Sequence, residues 1–219
     1  IDVENALGAG ALIGLTNADI EVDNCYSTGI VKGNWDTGGL AGKFQLSSDM
    51  RNCYSTCEVS GFISTGGLIG CSLSNAFVEN CFHTEGSVQG NRGTGGLIGY
   101  ALQTLLNKCY TTGDVIGTSG SGTGGLVGIH SLSAIYNSYS RCPVTNTSTV
   151  QACGGLTGLI EDASYVPIAT VPDLFSQVWV DLLAELMNIP LRPSRILSGI
   201  PRHPEQLSAQ GVRESPQKK

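Results

Sequence analysis

Cysteine is the residue of this sequence with the widest chemical repertoire, and half of its eight cysteines follow a fixed spacing. Those four recur every 28 residues, at Cys25, Cys53, Cys81 and Cys109. Thiols can pair as disulfides, act as nucleophiles or bind zinc. If the chain repeats its structure with this period, equivalent Cβ atoms lie nearly a strand spacing apart, wider than the ~3.8 Å typical of a disulfide. Since a buried free cysteine packs as a small apolar residue, the spacing predicts a row of reduced, buried thiols.

A zinc site is the alternative use of the same side chains. Its ligands would be Cys53, Cys57, Cys81 and His83 on neighbouring repeats. Structural zinc is held by four ligands in a tetrahedron, whereas stacked repeats place equivalent residues in straight rows. The pattern therefore favours the thiol row, and we expect neither a metal nor a cofactor.

The remaining polar residues do not predict a catalytic site. The three histidines, His83, His130 and His203, share no spacing with Ser or Asp that would indicate a hydrolytic triad. β-Helices that cleave acidic polysaccharides need clustered Asp, Lys and Arg, but the basic residues of the repeats are scattered along the chain. We therefore expect no catalytic residue and no enzymatic activity.

An aromatic row accompanies the thiol row one position later in the chain. Its members are Tyr26, Tyr54, Phe82, Tyr110 and Tyr139. Adjacent residues of a strand point to opposite faces, so Cys and Tyr cannot both point inward unless the chain bends between them. Asparagine precedes three of the four cysteines of the row and tolerates turn conformations, which predicts a corner there with the thiols inside and the rings outside. The aromatic row is then a candidate sugar-binding surface, and the alternative is that the rings pack a corner.

Threonine forms two rows as well. One consists of Thr37, Thr65, Thr94 and Thr123, and the other of Thr28, Thr56, Thr84 and Thr112. Ice-binding solenoids use two parallel threonine rows on one flat face. This alternative therefore requires both rows to lie on the same face.

A glycine-rich hexapeptide sets the period of the whole array. TGGLIG occurs at residues 65–70 and again at residues 94–99, and close variants occur elsewhere in the chain. The first glycine of each copy is Gly10, Gly38, Gly66, Gly95, Gly124 or Gly154, in steps of 28, 28, 29, 29 and 30 residues. A valine column keeps the same phase at Val31, Val59, Val88, Val115 and Val144. Three motifs in phase over five periods indicate a repeat architecture.

The segments within each period are short, rich in β-branched and aromatic residues, and bounded by Gly, Asn and Asp, which favours strands over helices. We predict an all-β parallel β-helix (β-solenoid) of about six coils of 28–30 residues, roughly 25–30 Å long at one strand spacing per coil. Leucines of the hexapeptide should form an interior stripe, namely Leu40, Leu68, Leu97, Leu126 and Leu156, with Leu12 at its start. The glycines before them are expected to turn the chain with positive φ.

The paired motifs GGL-[IVA]-G and NCYSTG-x-V-x-G resemble the GLUG repeat, from about Leu12 to Gly158. GLUG repeats occur in large bacterial and archaeal surface proteins, including adhesins and the non-catalytic part of some immunoglobulin A-cleaving metallopeptidases. The resemblance implies a parallel β-helix that serves as a stalk or adhesive region of an exported protein. The last copy departs from the pattern, with Ser138 for Cys, Arg141 for Thr and Thr157 for the hydrophobic residue.

Composition limits the partners. The net charge is −6 and only 14% of residues are charged, so the chain is a poor nucleic-acid binder, because neutralising phosphates supplies most of that affinity. No apolar run approaches the roughly 18 residues that span a bilayer, so we expect no transmembrane segment. Because residue 1 already lies within a repeat, we interpret the chain as part of a longer one.

The chain changes character after Tyr165, where prolines replace glycines. Asp173 is a plausible N-cap for an amphipathic helix at Asp173–Met187, with Leu174, Val178, Leu182, Leu183 and Leu186 on its apolar face. We expect GLUG-like repeats over 1–164, a linker and a capping helix over 165–190, and a mostly disordered tail over 191–219. The helix should fold across the last coil, because an open solenoid end exposes its core.

Fold and resemblance together predict a non-enzymatic repeat module of an exported surface protein, located outside the cell or on its surface. It would act as a stalk or adhesive region whose partners are glycans or proteins of host or cell surfaces. The alternative is a carbohydrate-active β-helix enzyme with a lateral active site that the motifs do not reveal.

Overall fold

The computed structural model describes residues 1–3, 6–118, 120–147, 152–162 and 164. Within these residues the regular structure consists of short strands, with no α-helix. The same residues contain no helix that is long and apolar enough to cross a membrane. The predicted helix at Asp173–Met187 and the predicted tail lie outside the described residues.

The strands form five parallel sheets, numbered here in the order in which the chain enters them. Sheet 1 contains β1 (Ala9–Gly10), β6 (Trp35–Gly38), β11 (Ile63–Gly66), β16 (Arg92–Gly95), β21 (Thr123–Gly124) and β26 (Cys153–Gly154). Sheet 2 contains β2 (Ile13–Leu15), β7 (Ala41–Phe44), β12 (Ile69–Ser72), β17 (Ile98–Leu102), β22 (Val127–Ser131) and β27 (Thr157–Glu161). Sheet 3 contains β3 (Glu21–Asp23), β8 (Asp49–Arg51), β13 (Ala76–Glu79), β18 (Thr104–Asn107) and β23 (Ala134–Tyr136).

The two remaining sheets complete each coil. Sheet 4 contains β4 (Tyr26–Ser27), β9 (Tyr54–Ser55), β14 (Phe82–His83), β19 (Tyr110–Thr111) and β24 (Tyr139–Ser140). Sheet 5 contains β5 (Ile30–Lys32), β10 (Glu58–Ser60), β15 (Val88–Gly90), β20 (Val115–Gly117) and β25 (Val144–Asn146).

Each coil passes once through all five sheets and pairs in register with the coils before and after it. Thr65, for example, pairs with Thr37 on one side and Thr94 on the other. Sheets 1 and 2 have six strands and the other three have five, so the described residues make about five turns. The predicted parallel β-solenoid is confirmed.

The leucine stripe lies in the core, as predicted. Four of its members are fully buried: Leu40, Leu68, Leu97 and Leu126. Leu156 is half-buried in the last coil and Leu12 is 54% exposed in the first. Leucine burial therefore depends on a coil stacking on either side.

The hexapeptide glycines serve a different purpose from the one expected. Among the described glycines, positive φ occurs at Gly29, Gly93 and Gly122, none of which belongs to the motif. The prediction of positive φ at the motif glycines is therefore wrong. A Cβ on Gly66 would instead lie 2.0 Å from the carbonyl oxygen of Ile69 and 2.7 Å from the amide nitrogen of Gly99. Glycine is required because main chains meet there at a distance that excludes any side chain.

The corner before each cysteine of the row, and before Ser138 in the fifth coil, is formed by a residue in the left-handed conformation. These residues are Asn24, Asn52, Asn80, Lys108 and Asn137, with φ between 47° and 53°. Asparagine adopts this conformation more readily than most residues, which explains its recurrence. The corner resets the strand alternation, and the predicted inward thiol and outward ring follow from it.

We predict that Gly67→Ala destabilises the solenoid whereas Gly155→Ala does not. Both are the second glycine of a hexapeptide and neither has positive φ. A Cβ on Gly67 would lie 2.2 Å from the carbonyl oxygen of Gly96, but no described atom lies within 4 Å of one on Gly155. Overpacking should lower the free energy of unfolding of Gly67→Ala by about 1–3 kcal/mol or more in urea denaturation. Equal stabilities of the two variants would contradict the steric role of the motif.

Candidate functional site

The thiol row lies at the corner between sheets 3 and 4 and takes part in main-chain hydrogen bonding. Cys53, Cys81 and Cys109 are fully buried, and Cys25 in the first coil is half-buried. The Cys53 thiol donates to the carbonyl oxygen of Arg51 at 3.0 Å and accepts from the Cys25 amide at 3.4 Å. Cys81 likewise accepts from the Cys53 amide at 3.4 Å. The Cys53 thiol therefore joins its own corner to that of the preceding coil, through one carbonyl and one amide group.

Ser138 replaces the cysteine in the fifth coil and indicates that this position is selected for its hydrogen bonds to the main chain. Its hydroxyl accepts from the Cys109 amide at 3.0 Å and donates to the carbonyl oxygen of Tyr136 at 2.6 Å. These are the same two bonds that the cysteines make. The departure from the repeat pattern at this residue therefore preserves the interaction.

The thiols of Cys81 and Cys109 are not activated as nucleophiles, whereas the pKa of the buried Cys53 thiol is lowered to about 7, chiefly by its hydrogen bond with the Cys81 thiol. Burial raises the pKa of the Cys109 thiol to about 12. The pKa of Cys81 is also raised, first by its hydrogen bond with the neighbouring Cys53 thiol and then by burial. All eight cysteines are free. The prediction of a reduced, buried row is confirmed for the three inner members.

The structure does not assemble the alternative zinc site. Cys57 contacts the carbonyl oxygen of Gly39 at 3.6 Å, and His83 Nε2 lies 3.0 Å from the carbonyl oxygen of Gly86. Within the described part of the chain, no three His, Cys, Asp or Glu side chains are grouped closely enough to hold a metal ion.

The two described histidines are buried in separate parts of the fold. His83 occupies the inward position of sheet 4 that is Ser55 and Thr111 in the adjacent coils. Burial lowers the pKa of His83, and it lowers that of His130 in sheet 2 to about 4. Both rings are therefore neutral near pH 7 and act as interior packing groups.

The aromatic row lies outside and forms a continuous stack along sheet 4. Ring centroids are separated by 5.2 Å for Tyr26–Tyr54, 4.9 Å for Tyr54–Phe82, 4.8 Å for Phe82–Tyr110 and 5.4 Å for Tyr110–Tyr139. Interplanar angles are 2–10°. Such pairs contribute about 0.5–1.5 kcal/mol each beyond the area they bury. The row thus stabilises the register of the coils.

Stacking also restricts how the row could bind a sugar. Each of the three inner rings has a neighbouring ring against both faces, so it presents only its edge to solvent. Tyr26 is 63% exposed and has one ring neighbour among the described residues. At the opposite end, the Arg141 guanidinium lies 5.6 Å from the Tyr139 centroid. Of the predicted binding residues, Tyr26 is the most exposed in the described structure.

A polar row runs beside the rings at the corner between sheets 3 and 4. Asn52 donates its side-chain amide to Asp23 at 2.8 Å, and Asn80 donates to Asn52 at 2.6 Å. Farther along, Asn137 donates to Asn107 at 3.0 Å. The outward surface therefore combines aromatic edges with a chain of carboxamides.

The two threonine rows do not share a face. Thr28 and Thr112 are exposed on sheet 4, whereas Thr37, Thr65, Thr94 and Thr123 are fully buried. The arrangement that the ice-binding alternative requires is therefore absent from these rows.

One polar cluster was missed by the sequence reasoning. Asp36 of sheet 1 lies opposite Lys43 of sheet 2, with 3.7 Å between Oδ2 and Nζ. Burial raises the pKa of the Asp36 carboxyl, against the opposing effect of the Lys43 ammonium group. Cys71, the register partner of Lys43, is buried and its pKa is also raised by burial. The sequence predictions came from residues that recur in every coil, whereas Asp36 occurs in only one of the described coils. An acidic residue at a position that is not acidic in the other coils was the signal that could have identified this cluster.

We predict that thiol labelling separates the eight cysteines by burial. Cys153 is exposed and should react at once with a thiol reagent, with Cys25 and Cys142 following because they are half-buried. The other five are buried and should react only after denaturation. Mass spectrometry of labelled peptides before and after adding guanidinium provides the measurement. Rapid native labelling of Cys81 or Cys109, or their recovery as disulfides, would contradict the inward row.

Comparisons of the chain with protein-family models, with curated proteins and with solved structures found no match. The functional proposal therefore rests on the repeat sequence and on the positions of these side chains.

Proposed function

We propose that this chain is a non-enzymatic repeat module of an exported surface protein, serving as a stalk or adhesive region. One observation supports this above the others. The thiols of Cys81 and Cys109 and the imidazoles of His83 and His130 are buried and neutral, whereas the outward rows repeat the same side chains from coil to coil. A surface of that kind suits repeated weak contacts better than a single reaction.

The stalk role is supported by the way coils are joined. Every strand of an inner coil pairs with a strand on either side, and the leucine, thiol and aromatic rows continue through all of these contacts. Each additional coil lengthens the rod by one strand spacing, about 4.8 Å, without a new kind of contact. Repeat number would therefore set the distance that such a module spans.

The adhesive role is supported by the outward face of sheet 4 and its polar border. Its partners would be glycans or proteins of a host or cell surface, as the resemblance to GLUG repeats implies. A sugar would contact the exposed ring of Tyr26 and receive hydrogen bonds from the amides of Asn24 and Asn52 next to it. Aromatic stacking with an adjacent hydrogen-bonding group is a common basis of small-ligand recognition.

An extracellular or cell-surface location is compatible with the cysteine content. Oxidising compartments favour disulfides between accessible thiols. Five of the eight cysteines are buried, and the inner thiols of the row are held by the hydrogen bonds of their own corner. The fold thus protects most of its thiols from oxidation.

A carbohydrate-active enzyme is the second candidate, and the Asp36 cluster is the specific observation that favours it. Burial raises the pKa of the Asp36 carboxyl, and a raised pKa is a property of carboxyl groups that act as general acids. Lys43 beside it could bind an acidic sugar. If the chain is an enzyme, we expect Asp36→Asn to abolish polysaccharide cleavage.

We predict that the full chain binds a defined set of glycans on an array and that Tyr26→Ala weakens this binding at least tenfold. The substitution removes the most exposed ring but leaves the other four rings stacked. Ile30→Ala is the matched control, because Ile30 is similarly exposed in the same coil on sheet 5. Equal losses in both variants would refute the proposed Tyr26 contact.

The same preparation separates the two functional classes. Release of oligosaccharides from any polysaccharide by the wild-type chain, and its loss in Asp36→Asn, would replace the binding module with the enzyme. Absence of binding to all glycans and surface proteins would remove the adhesive role and leave the stalk.

A further inference from the structure

The outer face of sheet 3 is unusual for the surface of this solenoid because half of it is apolar. Strand alternation directs Val78, Leu106 and Ile135 into the main core cluster. Their neighbours along the strands therefore point away from the interior. Those outward residues are Phe77, Leu105 and Ala134, which are paired in register in three successive coils. They form one apolar row on a lateral face.

The apolar row occupies only the half of the sheet nearer the last coils. In the first two coils, the residues in register with this row are Glu21 and Asp49. A second outward row lies two residues farther along each strand. It changes in the same direction, from Asp23 and Arg51 in the first two coils to Tyr136 in the fifth. One end of this face is therefore charged, and the other end is suited to burial.

The apolar end is already shielded from solvent. Phe77 is 3% exposed, with the Arg51 guanidinium 5.5 Å from its ring centroid, and Ala134 is 1% exposed, although both point away from the core. Leu105 between them is half-buried. Half-buried leucines, Leu73, Leu102 and Leu132, border the row where sheet 2 turns toward sheet 3. Outward apolar residues that are this deeply buried indicate a covered surface.

The chain leaves the described residues beside this surface. Its last described strand, β27, belongs to sheet 2, and in every earlier coil the next element is a strand of sheet 3. Asp162 has φ 53°, like Leu132 (46°) and Gln103 (52°) at the same turn of the preceding coils. Ser164 then contacts the carbonyl oxygen of His130 at 3.4 Å. The described part of the chain therefore ends at the apolar end of sheet 3.

The sequence after this point supplies an apolar helical face. The predicted helix at Asp173–Met187 begins nine residues after Ser164. An extended linker of that length reaches about 30 Å, and the helix itself would be roughly 22 Å long. Both lengths suffice to cross the three strands of the apolar row, which are about 5 Å apart.

We propose that the helix at Asp173–Met187 packs with its Leu174, Val178, Leu182, Leu183 and Leu186 face on the outer surface of sheet 3, over Phe77, Leu105 and Ala134. This packing position differs from the end of the solenoid, where the sequence predicts that the helix acts as a cap. It is independent of whether the module binds glycans. It also assigns sheet 3 to intramolecular packing and leaves the aromatic face of sheet 4 free for a partner.

Photo-cross-linking in the full chain locates the helix directly. Benzoylphenylalanine at Leu105 keeps an apolar side chain in the row and, on irradiation, should yield a cross-linked peptide from 174–186 within the same chain. The same probe at Ile116 is the control, because Ile116 points outward from sheet 5. Mass spectrometry should find no helix peptide attached to that position.

Helix variants test the face that makes the contact. Leu182→Asp with Leu183→Asp should lower the Leu105 cross-link at least tenfold, whereas Gln177→Asp on the opposite face should leave it unchanged. Protection of Cys81 and Cys109 from labelling verifies that the solenoid remains folded in each variant. Cross-links from Leu156 but not from Leu105 would assign the helix to the solenoid end and overturn the proposal. A cross-link from Leu105 to a second chain would overturn it as well.

Discussion

The close approach of main chains between sheets 1 and 2 is the constraint on which the rest of the solenoid depends. A Cβ on Gly95 would lie 2.0 Å from the carbonyl oxygen of Ile98 and 2.5 Å from the amide nitrogen of Gly128 in the next coil. The first contact is within one coil and the second is between coils, so the same glycine permits both the turn and the stack. Once the turn is fixed, Leu97 is directed into the core and stacks between Leu68 and Leu126. The hexapeptide is repeated because each coil must satisfy the same constraint against its neighbours.

A narrow interior explains why the residues with the most reactive side chains have structural roles. At the corner between sheets 3 and 4, a thiol or hydroxyl is small enough to fit and still bonds two backbone groups, as Cys53 and Ser138 both do. Larger interior groups occur where a glycine makes room. His83, for example, packs at the position where Gly67 has no side chain. Five of the eight thiols and both described imidazoles are therefore buried. The outward rings and carboxamides remain as the groups available to a partner.

The repeat period, the solenoid, the leucine stripe and the inward cysteines could all be predicted from the sequence, because each depends on a pattern that recurs in every coil. The orientation of Cys53 and Tyr54 could be predicted because a left-handed corner at Asn52 resets the alternation of the strand and places Cys53 inside and Tyr54 outside. The role of the glycines could not be inferred, because positive φ and close approach both require the same residue. The stacking of the rings against one another, and the pairing of Asp36 with Lys43, depend on distances across the fold that no linear spacing encodes. Those distances decide which parts of the candidate surface a ligand can reach.

Through-space NMR contacts between the aromatic rings test the in-register stacking of the coils most directly. With centroids 4.8–5.4 Å apart, the ring protons of Tyr54 should show nuclear Overhauser effects to those of Tyr26 and Phe82. Phe82 should in turn connect to Tyr110, and Tyr110 to Tyr139. Each ring would thus contact the rings one period away and none farther along the row. Contacts that skip a coil, such as Tyr54 to Tyr110, or the absence of any contacts between the rings, would contradict the account.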